Sequence, residues 1–388
     1  MARKNSSRVI NYQLIFIYFS LLLFGLIMVS STSMAIAERS FNDPFYYFNR
    51  QLIALLIGIL ISIFMLLIPI SLLEKMSKQI LILSLFLLMV ILIPGVGKEV
   101  NGSVRWLSLG FFNLQVSEIM KLGFIIYLAG YITRKKDAIQ NDLQGFITPM
   151  VILLLCGSLL LMQPDLGASL VIAFTVVGML FIAGVPLLTI VIIGVALLIL
   201  GALLIVFEPY RFIRLVSFTD PWQDPLNSGF QLTQSLMAYG RGDWFGVGLG
   251  NSLQKQFYLP EAHTDFIFSI IAEEFGVLGV LLTILLFFLL VMQLLNMAKK
   301  CLQKKKLFEA YLLCGFAIWT GIQAFINIGV SMGALPTKGL TLPFISYGGS
   351  SLMIMCLMMA IVLRIHYENS TSKPLNVFHL FNWKKSRA

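Results

Sequence analysis

Residues 265–297 read DFIFSIIAEEFGVLGVLLTILLFFLLVMQLLNM, and past Asp265 only Glu273 and Glu274 carry charge. About 20 predominantly apolar residues suffice for a helix to cross the hydrocarbon core of a bilayer. This stretch therefore reads as a membrane-spanning helix. Runs of the same character recur around it, at 14–36, 51–70, 79–96, 112–133, 146–163, 166–184, 186–207, 307–333 and 342–363. Together they make ten expected spans. Lipid offers the backbone no hydrogen-bond partner, and the runs lack the alternation of barrel strands. The expected fold is an all-α, polytopic membrane bundle, one domain over residues 1–388. Cytoplasmic tails are expected at 1–13 and 364–388, and a large extracytoplasmic loop at 208–264.

Composition agrees. Of 388 residues, 58% are hydrophobic and 12% charged, against roughly 25% charged in soluble domains. A net charge of +10 raises the possibility of a nucleic-acid partner, and the distribution of charge removes it. With a cytoplasmic N-terminus, that tail and the connections after spans 2, 4, 8 and 10 hold 18 of the 28 lysines and arginines. Arg134-Lys135-Lys136 and Lys304-Lys305-Lys306 are among them. The opposite side holds 9 basic and 10 acidic residues. This is the positive-inside pattern, with lipid as the surroundings and both termini cytoplasmic. Arg3, Lys4 and Arg8 precede an apolar run too long for a cleaved signal peptide, so an uncleaved anchor is expected. Cys156, Cys314 and Cys356 fall in spans and Cys301 on the cytoplasmic side, so no disulfide is expected.

Function is sought where polar residues persist. The outer loop carries Arg211, Arg214, Asp220, Asp224, Arg241, Asp243 and Glu261, and a loop this long is functional or holds elements of its own. Phe230–Tyr239 reads as a short helix within it. Gly240-Arg241-Gly242-Asp243-Trp244-Phe245-Gly246-Val247-Gly248 lacks the strand and helix of a dinucleotide fingerprint. Tight turns packing the loop on the bundle are the plainer reading, with Arg241 a candidate for a diphosphate. The loop ends at Glu261-Ala262-His263-Thr264-Asp265, placing Asp265 at a helix N-terminus. There it is either a cap that complements the helix dipole or a general base at the rim of an outward cavity. Glu261 and His263 flank it.

Glu118 and Lys121, three residues apart inside a span, share a face as a structural pair or as the wall of a polar cavity. Glu273 and Glu274 point roughly 100° apart and so need different partners. Gln163-Pro164-Asp165-Leu166-Gly167 and Asn101-Gly102-Ser103-Val104-Arg105-Trp106-Leu107 make outward turns, as turn formers and interfacial anchors or as site residues. Pro336–Ser351, with Lys338 and Ser346, implies irregular backbone at membrane depth.

Taken together, these segments resemble the SEDS family of shape, elongation, division and sporulation proteins. The likeness rests on Asn42-Asp43-Pro44-Phe45 with Arg50, Arg105-Trp106-Leu107, Ser117-Glu118 with Lys121, and Gln163–Gly167. It continues through Gln231–Ser235, Gly240-Arg241-Gly242, Leu259–Phe266 and Pro336–Ser351, nearly the whole chain. The spelling of 336–343 is similar to the division branch, and the sporulation branch stays open.

The resemblance implies a peptidoglycan glycosyltransferase that joins lipid II to the 4-hydroxyl of another lipid II, at the septal cytoplasmic membrane. It implies Asp265 as the base that deprotonates this hydroxyl, and Arg105, Arg241 and Lys338 as cations for the diphosphate. A divalent cation, Mg or Mn, is possible. Further cavity candidates are Arg50, Glu118, Lys121, Asp165, Glu261, His263 and Ser346. The implied partners are a class B penicillin-binding protein and other divisome membrane proteins. A lipid II flippase and a non-catalytic divisome scaffold are the competing readings.

Overall fold

The computed structural model describes residues 11–100, 103–108, 110, 113–141, 143–206, 216–337 and 339–370. Lys338, Arg211 and Arg214 lie outside the described residues. Among the described residues, seven helices are long and apolar enough to cross a membrane: α1 (Tyr12–Phe41), α2 (Tyr46–Leu67), α5 (Val116–Arg134), α7 (Leu143–Met162), α11 (Ile267–Gln303), α12 (Leu307–Ser331) and α13 (Gly349–Ser370). Three further apolar helices, α4 (Ser77–Val90), α8 (Leu166–Ile182) and α9 (Leu187–Val206), take the places of the other expected spans. The short helices α3 (Ile70–Lys75) and α6 (Lys136–Asn141) join their neighbours, and α10 (Phe230–Gly242) lies in the outer loop. The chain is an integral membrane protein.

Burial orders the bundle. The apolar windows of α5, α12 and α13 are 83%, 72% and 78% buried, whereas those of α2 and α7 are 28% buried. The first three form the centre and the other two face lipid. Small residues let neighbouring helices approach closely. At Gly123 a side chain would collide with Ser84 of α4, and at Gly25 with the backbone oxygen of Phe344.

The sequence reading needs one correction here. Residues between α4 and α5 form a three-stranded antiparallel sheet, β1 (Gly97–Val100), β2 (Ser103–Ser108) and β3 (Asn113–Gln115), in the order β1-β2-β3. The fourth span begins at Val116, and the residues before it pair with β2 instead of continuing the helix. Ser350 ties this sheet to α13, its hydroxyl donating to the Asn113 carbonyl at 2.6 Å and accepting from the Gln115 amide at 3.0 Å.

α11 is broken near its outer end, where Gly276 adopts φ 64° and ψ −161°. The loop after α10 closes the gap. The amides of Val247 and Gly248 donate to the carbonyls of Glu273 and Glu274, and the amides of Val277 and Leu278 donate to the carbonyls of Asp243 and Trp244. Backbone groups freed at membrane depth must find protein partners, and these four bonds supply them. A side chain at Gly246, φ 78°, would overlap the Glu274 carbonyl. The glycine-spaced segment is thus a packing device, as its plainer reading held.

Candidate functional site

Every buried carboxylate of α11 is consumed in this junction. Glu273, fully buried, accepts from Arg241 at 2.6 Å, from the Ser252 hydroxyl, and from the amides of Leu253 and Gln254 at 2.9 and 3.3 Å. Glu274, equally buried, accepts from Lys255 at 2.6 Å and from Ser31 of α1 at 2.8 Å. The two acids face different partners, as their angular separation requires. Arg241 is committed to an ion pair rather than to an open anion site. Lys255, which belongs to none of the motifs, is found only through its place in the fold.

A second polar chain runs through the centre. Lys121 pairs with Glu118 at 2.8 Å, donates to Gln323 at 2.8 Å, and lies 5.4 Å from the ring centre of Trp319. The Gln323 oxygen also accepts from the Trp319 indole, and its nitrogen donates to the Thr341 carbonyl at 3.0 Å. One turn along α12, Asn327 donates to the carbonyls of Leu340 at 2.6 Å and Asp265 at 2.9 Å. The intramembrane pair is thus buried and hydrogen-bonded within the bundle, and through Gln323 it reaches the irregular turn that begins at Gly333. Polar residues four apart in an apolar helix are the signal that could have found Gln323 and Asn327 in the sequence.

Asp265 sits at the convergence. α11 starts at Ile267 after Phe266, whose side chain makes no cap, so Asp265 is not the N-cap that its position in the sequence suggested. Its backbone is clamped instead. The successive carbonyls of His263, Thr264 and Asp265 accept from the Tyr347 amide at 2.9 Å, the Ser346 hydroxyl at 2.5 Å and Asn327 at 2.9 Å. Ser346 in turn accepts from the Leu342 amide at 2.8 Å, and Gln51 of α2 brackets residues 346–348. The Asp265 carboxylate stays half-buried and lies beside Gly339, where a side chain would come within 3.1 Å of Oδ2.

The other expected residues divide. Asp165 caps α8, accepting from the Ala168 amide at 3.2 Å, and Gly167 packs on Leu340 next to the Asp265 turn. Arg105 holds the same 163–165 turn by its carbonyls, at 3.3 Å to Gln163 and more closely to Pro164. His263 is buried against the rings of Tyr47 and Tyr347, with centroids 4.8 and 5.6 Å away. Burial holds its imidazole below the ordinary pKa of 6.5, against the pull of Glu261. Arg50, exposed, lies over the ring of Tyr46, with its guanidinium 4.7 Å from the ring centre. Glu261, exposed, accepts from the Thr264 hydroxyl at 2.7 Å.

Glu261, His263 and Ser346 meet the Asp265 turn directly, and Arg50 lies over Tyr46, next to the Tyr47 ring that packs on His263. Arg105, Asp165, Glu118 and Lys121 reach it only through longer chains of contacts, whereas Arg241 belongs to the α11 break. Among the described residues no three His, Cys, Asp or Glu side chains gather as metal ligands.

Sequence and fold both place this bundle in a known group. The chain belongs to the cell cycle protein family of FtsW, RodA and SpoVE, which matches residues 12–371. It is 49% identical over 351 residues to the probable peptidoglycan glycosyltransferase FtsW of Legionella pneumophila, covering 90% of this chain and 89% of that one. To the Coxiella burnetii protein of the same name it is 48% identical, covering 90% and 94%. Its fold matches a chain from a peptidoglycan synthase complex with TM-score 0.74 and 30% identity, covering 92% of this chain and 98% of that one. The rod shape determining protein RodA of Thermus thermophilus matches with TM-score 0.68 and 29% identity, covering 92% and 97%.

Proposed function

We propose that this protein is a peptidoglycan glycosyltransferase that polymerises lipid II for septal wall synthesis, with Asp265 as general base. The clamp on three consecutive carbonyls carries this reading. It fixes the backbone under a half-buried carboxylate at the start of α11. The names of the relatives point the same way.

A sugar hydroxyl is a weak nucleophile. A carboxylate within hydrogen-bond reach takes its proton as the new glycosidic bond forms, which contributes about 10²–10⁴-fold. The lipid-linked donor departs as its diphosphate, and fixed positive charge stabilises it. Arg50, whose guanidinium is exposed beside the Asp265 turn, is best placed for that task, with Arg105 bracing the facing turn. A class B penicillin-binding protein that cross-links the emerging strand is the expected partner, since the matched synthase complex couples polymerization to crosslinking.

The test is polymerisation of lipid II by the purified protein with that partner, comparing wild type with Asp265→Asn. Glycan strands from the wild type and none from the folded variant are expected. Equal strands from both would remove Asp265 from the chemistry.

A further inference from the structure

Between α1, the first turn of α2 and the loop after α10 lies a cavity of about 660 Å³, a volume typical of ligand sites. α1 lines one side with Leu23, Ile27 and Met34, and the loop contributes Leu249. All four are exposed. Because α1 spans the membrane, the cavity opens sideways into lipid. Its polar end is formed by Ser31 and Lys255. The Lys255 ammonium has three N–H groups; one donates to Ser31 at 2.9 Å and one to Glu274 at 2.6 Å, leaving a third for a ligand. Arg39 stands one helical turn above Ala35 of the lining, exposed, its guanidinium 4.8 Å from the ring centre of Phe257. Its neighbour Glu38 is turned about 100° away around the helix.

We propose that this cavity holds the isoprenoid tail and diphosphate of the lipid-linked acceptor, the molecule whose hydroxyl Asp265 deprotonates. The inference rests on the glycosyltransferase reading and deepens it. Its occupant is an amphiphile with a long hydrocarbon tail and an anionic head, matching an apolar slot crowned by Lys255 and Arg39. Position selects the acceptor. In the donor the diphosphate is the leaving group, so it must lie at the reacting centre. In the acceptor a disaccharide separates the diphosphate from the reacting hydroxyl. Glu274, the partner of Lys255, lies about 10 Å of helix rise beyond the start of α11 at Ile267, with Asp265 two residues before that start, which is room for those sugars. The two regions adjoin: Phe48 lines the cavity, and the ring of its neighbour Tyr47 packs on His263, two residues before Asp265.

The test uses the full chain in nanodiscs of phosphatidylethanolamine and phosphatidylglycerol. The probe is an isoprenoid-diphosphate disaccharide lacking the 4-hydroxyl, with a photoreactive diazirine in its tail. Crosslinks are expected on residues 23–35 and 249–256. They should fall about tenfold, the equivalent of one charge-assisted contact, in Arg39→Ala and recover in Arg39→Lys. Ala35→Trp, which fills the slot, should lower them as far.

Asp265→Asn should crosslink like wild type while making no polymer. If Asp265→Asn still polymerises, the general-base reading fails and the cavity is judged on its crosslinks alone. Crosslinks confined to other helices would overturn the proposal, as would wild-type labelling in both Arg39→Ala and Ala35→Trp. Equal labelling by a diazirine phospholipid that the isoprenoid probe does not displace would make the cavity an ordinary lipid seat, and would overturn it too.

Discussion

Glu274 and Asp265 stand nine residues apart on the same stretch of chain, and their surroundings are opposite. Glu274 is fully buried and answered by Lys255 and Ser31. Asp265 is half-buried, and its main-chain carbonyl is held by Asn327. A charge deep in a bilayer is tolerated only when paired, and pairing removes it from chemistry. A carboxylate that must exchange a proton has to stay within reach of substrate, so its precision comes from the main chain beneath it. The same contrast separates the Glu118–Lys121 pair, which braces the centre, from the turn it indirectly supports.

Two substitutions would break this contrast outright. Asp265→Asn is expected to lower polymerisation by about 10²–10⁴-fold with the melting temperature retained. Glu274→Ala should do the reverse in kind. It strands Lys255 and removes about 3–5 kcal/mol of stability, visible as loss of monodisperse protein on size exclusion and a lowered melting temperature. If Glu274→Ala melted like wild type, the architectural half of the contrast would be wrong.

Asn327→Leu sharpens it at an intermediate level. It leaves the carboxylate in place but frees the carbonyls of Asp265 and Leu340. A displaced base costs up to about 100-fold in rate, so kcat should drop by about 10- to 100-fold with KM little changed. A kcat equal to wild type would show that the clamp is dispensable.

The smallest effect concerns pH. Burial keeps His263 neutral in the folded protein at values where the unfolded chain, with an ordinary pKa near 6.5, already binds a proton. The unfolded state therefore takes up more protons in that window, so stability falls as pH drops from about 6.5 to the lower folded value, then levels. His263→Gln should flatten this acid slope in thermal melts between pH 7 and 5. An unchanged slope would assign the acid sensitivity to another group.

Much of the fold was legible because the bilayer enforces it. Apolar runs locate ten spans, and the three-residue spacing of Glu118 and Lys121 announces their pairing. The angle between Glu273 and Glu274 predicts separate partners. What escaped depended on contacts distant in sequence. The sheet at 97–115 has short strands with little periodicity and is fixed by its tie to Ser350 of α13. Asp265 looked like a cap because helices start near such residues, yet the turn from Glu261 delays the start to Ile267. Lys255 and Asn327 gain meaning only when the chain folds back 19 residues to Glu274 and 62 to Asp265.

The break at Gly276 also bears on how the protein is made. Leaving the translocon, the outer end of α11 would carry two acids into the membrane, each disfavoured by up to about 2.5–3.5 kcal/mol at the centre of an isolated helix. Their partners Arg241 and Lys255, and the amides of Val247 and Gly248 that answer their carbonyls, all precede them in the chain. Synthesis thus delivers the clasp before the helix that needs it. The outer loop serves as an intramolecular assembly factor for α11, present at the moment that segment enters the membrane.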